Sequence, residues 1–185
     1  MSNDISGVSW HSVVIKNLQS EVKGDLFWER YLENLFTTKP VPYNIHLAVF
    51  IEPYLQFILE GKKTVESRFS AIRCAPYGRV GKGDIVVLKR SGGPIVGICQ
   101  ISITWSYKLD PNSWQTIKKD FMQKLCAEDP GFWKSREGAS FATLMQIHHV
   151  RPVKPMEIQK RDRRGWVILQ EASRMPFYHH GNESL

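Results

Sequence analysis

Apolar residues recur at three- and four-residue steps through Trp10, Val13, Val14, Leu18 and Val22, and again through Leu26, Tyr31, Leu32, Leu35 and Phe36 beyond Gly24. That spacing predicts two short amphipathic helices. The stretch Thr37 to Asn44 sets two prolines among polar residues and reads as a linker or a tight entry into a new unit. From Ile45 the pattern changes. IHLAVF reads as a buried strand, and Glu52-Pro53 followed by YLQFILEG puts proline in the first turn of a short helix with Gly61 just beyond its end. KTVESRF alternates as a strand, GKGD at 81–84 turns into the strand IVVLK, and SGGP at 91–94 leads back into IVGICQISITW, as in a small barrel's hairpins. Trp114, Ile117, Phe121 and Leu125 share one helical face, Phe132 and Trp133 begin a second short helix, and SFATLMQIHHV reads as another strand. A proline-marked basic segment, RPVKPMEIQKRDRRG, then feeds the apolar run WVILQ.

Charge sharpens this outline. The chain of 185 residues carries 25 Lys and Arg against 18 Asp and Glu, a net +7, which favours polyanions and anionic small molecules as partners. Residues 1–43 hold 4 basic and 5 acidic side chains, so the whole excess lies in 44–185. The expected division is therefore a helical extension, 1–43, and a main domain, 44–185. The longest uninterrupted aliphatic and aromatic stretch, Leu47 to Ile51, is far short of the roughly 20 residues a membrane-spanning helix needs. The start MSNDISGVSW has neither a basic leader nor an apolar core, so a cytoplasmic setting is expected. Cys74, Cys99 and Cys126 lie far apart with no CxxC pair and no histidine at ligand spacing, so they read as buried thiols. No metal or cofactor is expected.

The most informative stretch is Gly61-Lys62-Lys63-Thr64-Val65-Glu66-Ser67-Arg68. Side chains two apart on a strand share a face, so Glu66 and Arg68 point the same way, joined by Thr64, with Lys63 at the strand entrance. Acid and base on an otherwise interior strand are costly unless they pair or line a wet cleft. A simple exposed Glu66–Arg68 pair is the plain alternative, worth under about 1 kcal/mol.

Here PYLQFILEGKKTVESR followed by GRVGKGDIVVLKRSGGPIVGICQI resembles the ASCH domain family, a branch of the PUA-like superfamily, through the core GxKxxExR spelled by Gly61, Lys63, Glu66 and Arg68. The similarity continues through the turn Val80 to Asp84 and covers about residues 45–150, reaching 170 with the last strand. The resemblance implies an α+β fold, a small PUA-like β-barrel with flanking helices, and a cleft between barrel and first helix that takes RNA or a nucleotide-sized ligand, modified nucleosides included. Lys63, Thr64, Glu66 and Arg68 would then bind the ligand, Arg with its planar fork and Glu66 accepting from an exocyclic amine.

An alternative implied by the same family is a metal-independent hydrolase. Some small bacterial members resemble amidohydrolases that remove the acyl group of N4-acetylcytidine with a lysine, a threonine three positions later and a distant glutamate. Lys63 matches the lysine, but Glu66 stands where the threonine would fall, so Lys63 and Glu66 would have to be the catalytic pair. Other members resemble ribonucleases, for which His148 or His149 would be the acid–base candidates. Adjacent strand residues face opposite sides, and neither histidine has a recognisable partner, so the pair reads as structural or exposed.

Tyr77 lies in the long loop after the motif strand, where it can cover a cleft, and Arg73 and Arg79 add charge to that loop. Residues 151–164 carry 6 basic and 2 acidic side chains, among them Lys160, Arg161, Arg163 and Arg164, which with Arg73 and Arg79 are candidates for nucleic-acid backbone contacts. Trp105, Tyr107, Trp114 and Trp133 are candidates for base stacking, though most should be core. Gly78, Gly81 and Gly83 precede a strand and read as turn residues. The amino-terminal helices offer a possible surface for a protein partner.

Overall fold

The computed structural model describes residues 9–37, 40–158, 160 and 163–173. Two helices open it, α1 (Trp10–Glu21) and α2 (Leu26–Leu32), where the apolar steps predict them. Ser9 and Asp25 cap them by accepting from the amides of His11 and Trp28. A 3-10 turn (Glu33–Phe36) follows, then β1 (Ile45–Phe50), α3 (Tyr54–Leu59), β2 (Val65–Ser70), β3 (Ile85–Arg90) and β4 (Ile95–Lys108). The chain continues through α4 (Pro111–Leu125), α5 (Pro130–Lys134), β5 (Phe141–Met156) and β6 (Trp166–Gln170).

These strands form one sheet in the order β2-β5-β4-β3-β1-β6, antiparallel except where β1 lies parallel to β3. The sheet curls into a half-barrel flanked by helices, the α+β barrel-like fold expected from the sequence. Its curvature comes from the long strands β4 and β5, whose register shifts three times, near Gly97, Gln100 and Ile103. Such irregularities bend a strand and raise its twist. They also explain why β5 outruns the sequence expectation, continuing past Val150 through Pro152 and Pro155 to Met156. A proline has no amide to donate to a ladder and is tolerated where the ladder is already broken.

Alternation along β1 and β3 sorts the core into layers. Ile45, Leu47, Ile85 and Val87 face outward and are covered by Val14, Ile15, Leu18, Val22, Trp28 and Leu32 of the first two helices. Ala48, Phe50, Val86 and Leu88 face the barrel interior with Leu55, Ile58, Cys99, Ile101, Met145 and Trp166. A third cluster seats α4 and α5 through Ile117, Phe121, Leu125, Phe132 and Trp133 against Val65, Ala142 and Leu144. The amino-terminal helices thus share a core with the sheet. Polar contacts pin them as well: Asp25 pairs with Arg151 at 3.0 Å, and the Trp28 indole donates to the His149 carbonyl at 3.1 Å. The ring of His149 stacks on Phe27 at 3.6 Å.

A buried carboxylate organises the turn that the sequence reads only as GKGD. Asp84 is 3% exposed and accepts from the Asn44 backbone amide at 2.7 Å, the Gly81 amide at 2.8 Å and, on both carboxylate oxygens, the Asn44 side-chain Nδ2 at 3.1 and 3.0 Å. Its Oδ2 lies 2.9 Å from Nε2 of the fully buried His46. The Trp166 indole N–H donates to His46 Nδ1 at 3.1 Å, so Nδ1 is the acceptor and Nε2 carries the proton toward Asp84. Gly83, at φ +89°, makes this turn possible. A Cβ there would meet the Tyr31 hydroxyl at 3.2 Å, which itself donates to the Gly83 carbonyl at 2.6 Å.

Burial alone would raise the Asp84 carboxyl, but the hydrogen bonds from His46, Asn44 and Gly81 together outweigh it and hold the group below its ordinary 3.8. A lowered carboxylate stabilises the fold above its unfolded value and loses that contribution as pH falls through the folded one. Asp84→Asn should therefore cost about 2–4 kcal/mol at pH 7, and the gap between variant and wild type should narrow as pH drops below 3.8. Urea melts across that range measure it; a gap independent of pH would refute the assignment.

Candidate functional site

The site forms where β2 faces the end of β1. Gly61, at φ +73°, ends α3 and swings the chain into β2. The backbone of Thr64 is then tied on both sides, its amide donating to the Lys124 carbonyl at 3.0 Å and its carbonyl accepting from Ile147 at 2.9 Å. These bonds fix where the strand begins, with Lys63 just ahead of it and Glu66 within it, and both side chains are buried. Lys63 is 2% exposed and Glu66 7% exposed, and with Arg68 half-buried the Glu66–Arg68 pair is not the exposed one of the plain alternative.

Each charge in this cluster has a reason to be there. The Lys63 ammonium donates to the Leu125 carbonyl at 3.1 Å, capping the electronegative carboxyl end of α4, and lies 3.5 Å from Glu66 Oε2. Its ring neighbour is Tyr54, 5.5 Å away. Burial pulls the Lys63 ammonium below its ordinary range, opposed by the Glu66 carboxylate. On the other side Glu66 Oε1 sits 2.8 Å from Arg68 Nε, at an angle that makes it an ion pair and not an aligned hydrogen bond.

Arg68 is held from every direction. Nη2 donates to the Val49 carbonyl at 2.9 Å, Nη1 lies 3.5 Å from the Gly165 carbonyl, and the guanidinium sits between the rings of Phe50 at 4.8 Å and Trp166 at 5.3 Å. Its fork is spent on the protein itself.

A cleft of about 390 Å³ opens over these groups. Its walls are Phe50, Tyr54, Phe69 and Phe132, with Lys63, Glu66, Arg68 and Arg136 as its charges. Arg136 follows α5, whose start is set by the Asp129 cap and Pro130. Its guanidinium lies 3.7 Å over the Phe132 ring and donates through Nη1 to the Phe132 carbonyl at 2.6 Å and the Ser135 hydroxyl at 2.9 Å. Burial lowers the Arg136 group somewhat, with Tyr54 and Glu66 opposing. Three cations against one carboxylate leave the cleft net positive, with unused donors on Arg136 and a free proton on Lys63.

No family model matches the chain, and no curated protein matches it. Solved structures do match. The ASCH protein of Zymomonas mobilis superposes with a TM-score of 0.51 over 62% of this chain and 74% of that one, at 15% identity. A serine-to-alanine variant of the same protein gives 0.56 over 71% and 92%, at 13% identity. The fold is that of an ASCH domain.

Within this ASCH fold the sequence-read residues separate into groups. Lys63, Glu66 and Arg68 meet in the cleft. Thr64, expected on the same face, is exposed and outside the cleft lining, because it precedes the strand, whose alternation starts at Val65. Tyr77 lines a smaller adjoining hollow, with the Arg73 guanidinium 5.4 Å over its ring. Arg79 is taken up by Glu171 at 2.7 Å. Lys160 donates to the Arg164 carbonyl at 2.6 Å, Arg163 and Arg164 are exposed, and Arg161 lies outside the described residues.

Other expectations are corrected or completed by the same coordinates. Of the cysteines only Cys99 is buried; Cys74 is exposed and Cys126 half-buried, because Cys74 lies on a surface loop and Cys126 ends α4 in a left-handed cap. His148 and His149 line no part of the cleft. Trp105, Tyr107, Trp114 and Trp133 pack in the cluster under α4, with Trp114 stacked on Phe69 at 5.2 Å. Among the described residues no group of three His, Cys, Asp or Glu side chains is placed to hold a metal, and no helix is long and apolar enough to cross a membrane. Tyr54, Phe132 and Arg136 were missed by sequence reasoning. Asp129 and Pro130 mark the start of α5, but no local signal places it beside β2, far back along the chain.

Replacing Arg68 by lysine keeps the charge but loses the fork that reaches Val49 and Gly165. The variant should be less stable by about 1.5–3 kcal/mol in urea melts. Unchanged stability would mean that the guanidinium does not hold this seam.

Proposed function

We propose that this protein binds RNA or a nucleotide-sized ligand, modified nucleosides included, in the charged cleft over β2. The observation that carries the reading is the combination in one cavity: aromatic walls, a fixed carboxylate acceptor, and cations in excess. Glu66 uses its two oxygens on Lys63 and Arg68 but keeps lone pairs for an amine or imino group of a base. Arg136 and Lys63 supply donors for a phosphate or a base carbonyl. The basic segment ending at Arg164 runs into Gly165, beside Arg68, so the exposed Arg163 and Arg164 would contact the backbone of a strand leaving the cleft, and Arg161 adds to the charge of that segment.

One observation favours hydrolysis as a second reading. Lys63 is buried, and burial pulls its ammonium down against the opposing pull of the Glu66 carboxylate; desolvation is how a lysine is made ready for proton transfer. Thr64 is not available as its hydroxyl partner; Ser67, Ser135 and Tyr54 are the hydroxyls lining the cleft.

Titration of a labelled short RNA and a panel of nucleosides tests the binding reading. Affinity should fall steeply with salt, Glu66→Gln should weaken nucleoside binding while the protein stays folded, and Arg136→Ala should cost about 10-fold. Neutralising Arg161, Arg163 and Arg164 together should flatten the salt slope. Absence of any binding would refute the reading. Turnover of N4-acetylcytidine or RNA that vanishes in Lys63→Ala would establish the hydrolase instead.

A further inference from the structure

A second hollow of about 130 Å³ lies on the far side of Arg68 from the main cleft. Arg68 and Phe69 line both cavities and form their common wall. Arg68 is anchored at Val49, Glu66, Phe50 and Trp166, so this wall is fixed and the hollows do not merge.

The two hollows differ in charge. The main cleft contains Glu66, whereas the lining of the second contains no acidic residue at all. Tyr77, half-buried and edge-on to Phe141 at 5.0 Å, forms its outer side. Above that ring stands the exposed Arg73, which forms no ion pair among the described residues, unlike its loop neighbour Arg79. Gly165, on the opposite side, is preceded directly by the exposed Arg163 and Arg164. The second hollow is therefore an aromatic surface between two cationic margins.

A carboxylate acceptor suits a base edge, because bases present donors there and phosphates do not. An acid-free, cationic hollow with a ring suits a phosphate and a stacked neighbour. We infer that the ligand is a single-stranded oligonucleotide straddling Arg68, one base in the main cleft and the adjoining phosphate and nucleotide in the second hollow against Tyr77 and Arg73. This rests on the nucleotide-binding reading above and adds to it a minimum ligand length and a direction across β2.

The test compares the four ribonucleosides with the four homotrinucleotides on wild type and on the double variant Arg73→Ala, Tyr77→Ala, with circular dichroism as the check on folding. The best trinucleotide should bind the wild type about 10-fold or more tightly than its nucleoside. The double variant should lose that advantage and bind the nucleoside, which lacks a phosphate, as before. Equal affinity of wild type for both lengths, or a double variant that weakens both ligands alike, would overturn the straddling arrangement while leaving nucleotide binding in place. No binding of either length would overturn both.

Discussion

The guanidinium of Arg68 closes the barrel. The sheet has two free edges, β2 and β6, and an unpaired edge leaves a row of donors and acceptors without partners. Curling brings these edges near each other, yet no ladder joins them. The join is made by one side chain: Arg68 on β2 reaches the Val49 carbonyl on β1, while the Val49 amide donates to the Gly165 carbonyl just ahead of β6. A backbone ladder would have sealed the seam. A side-chain strut leaves room on both sides of itself, and the two hollows occupy that room.

The strut holds because its surroundings are rigid. Trp166, one of the two rings enclosing the guanidinium, is oriented by His46, and His46 by Asp84, whose remaining valences are taken by Asn44 and Gly81. A polar network of this kind is favourable only when every member is satisfied. Here each member is, so the GKGD turn governs the face that Trp166 presents to Arg68 and to the second hollow. Helix α2 joins the same system through Tyr31, whose hydroxyl donates to the Gly83 carbonyl. Elements remote from the cleft in sequence therefore share in shaping it.

Much of this was legible in the chain. The alternation of Glu66 and Arg68, the stop at Gly61 and the turns at 81–84 and 91–94 located the motif strand and its hairpins, because local periodicity and glycine geometry are encoded locally. The resemblance in GxKxxExR supplied the barrel. What stayed hidden is non-local. Nothing around Arg136 announces that α5 leans over β2, nothing around Leu125 announces that its carbonyl needs Lys63, and Asp84 reads as an ordinary turn residue until His46 is seen behind it. Thr64 fell outside the cleft because strand parity begins only where the ladder begins, one residue later. Arg151, counted with the basic segment, is spent on Asp25, a partner from the opposite end of the chain.

The same accounting bears on what the cleft can do. Buried charges repay their desolvation only through fixed partners, and Lys63, Glu66 and Arg68 each have at least two. Fixed partners also mean that little ordering is left for a ligand to impose, which is the condition for selective recognition by a few placed groups. Catalysis makes an additional demand, a group able to gain or lose a proton during the reaction. Burial moves Lys63 toward that condition, while its contacts with Leu125 and Glu66 both favour the charged form. The contacts that hold Lys63 in place therefore work against its deprotonation, while its burial works for it.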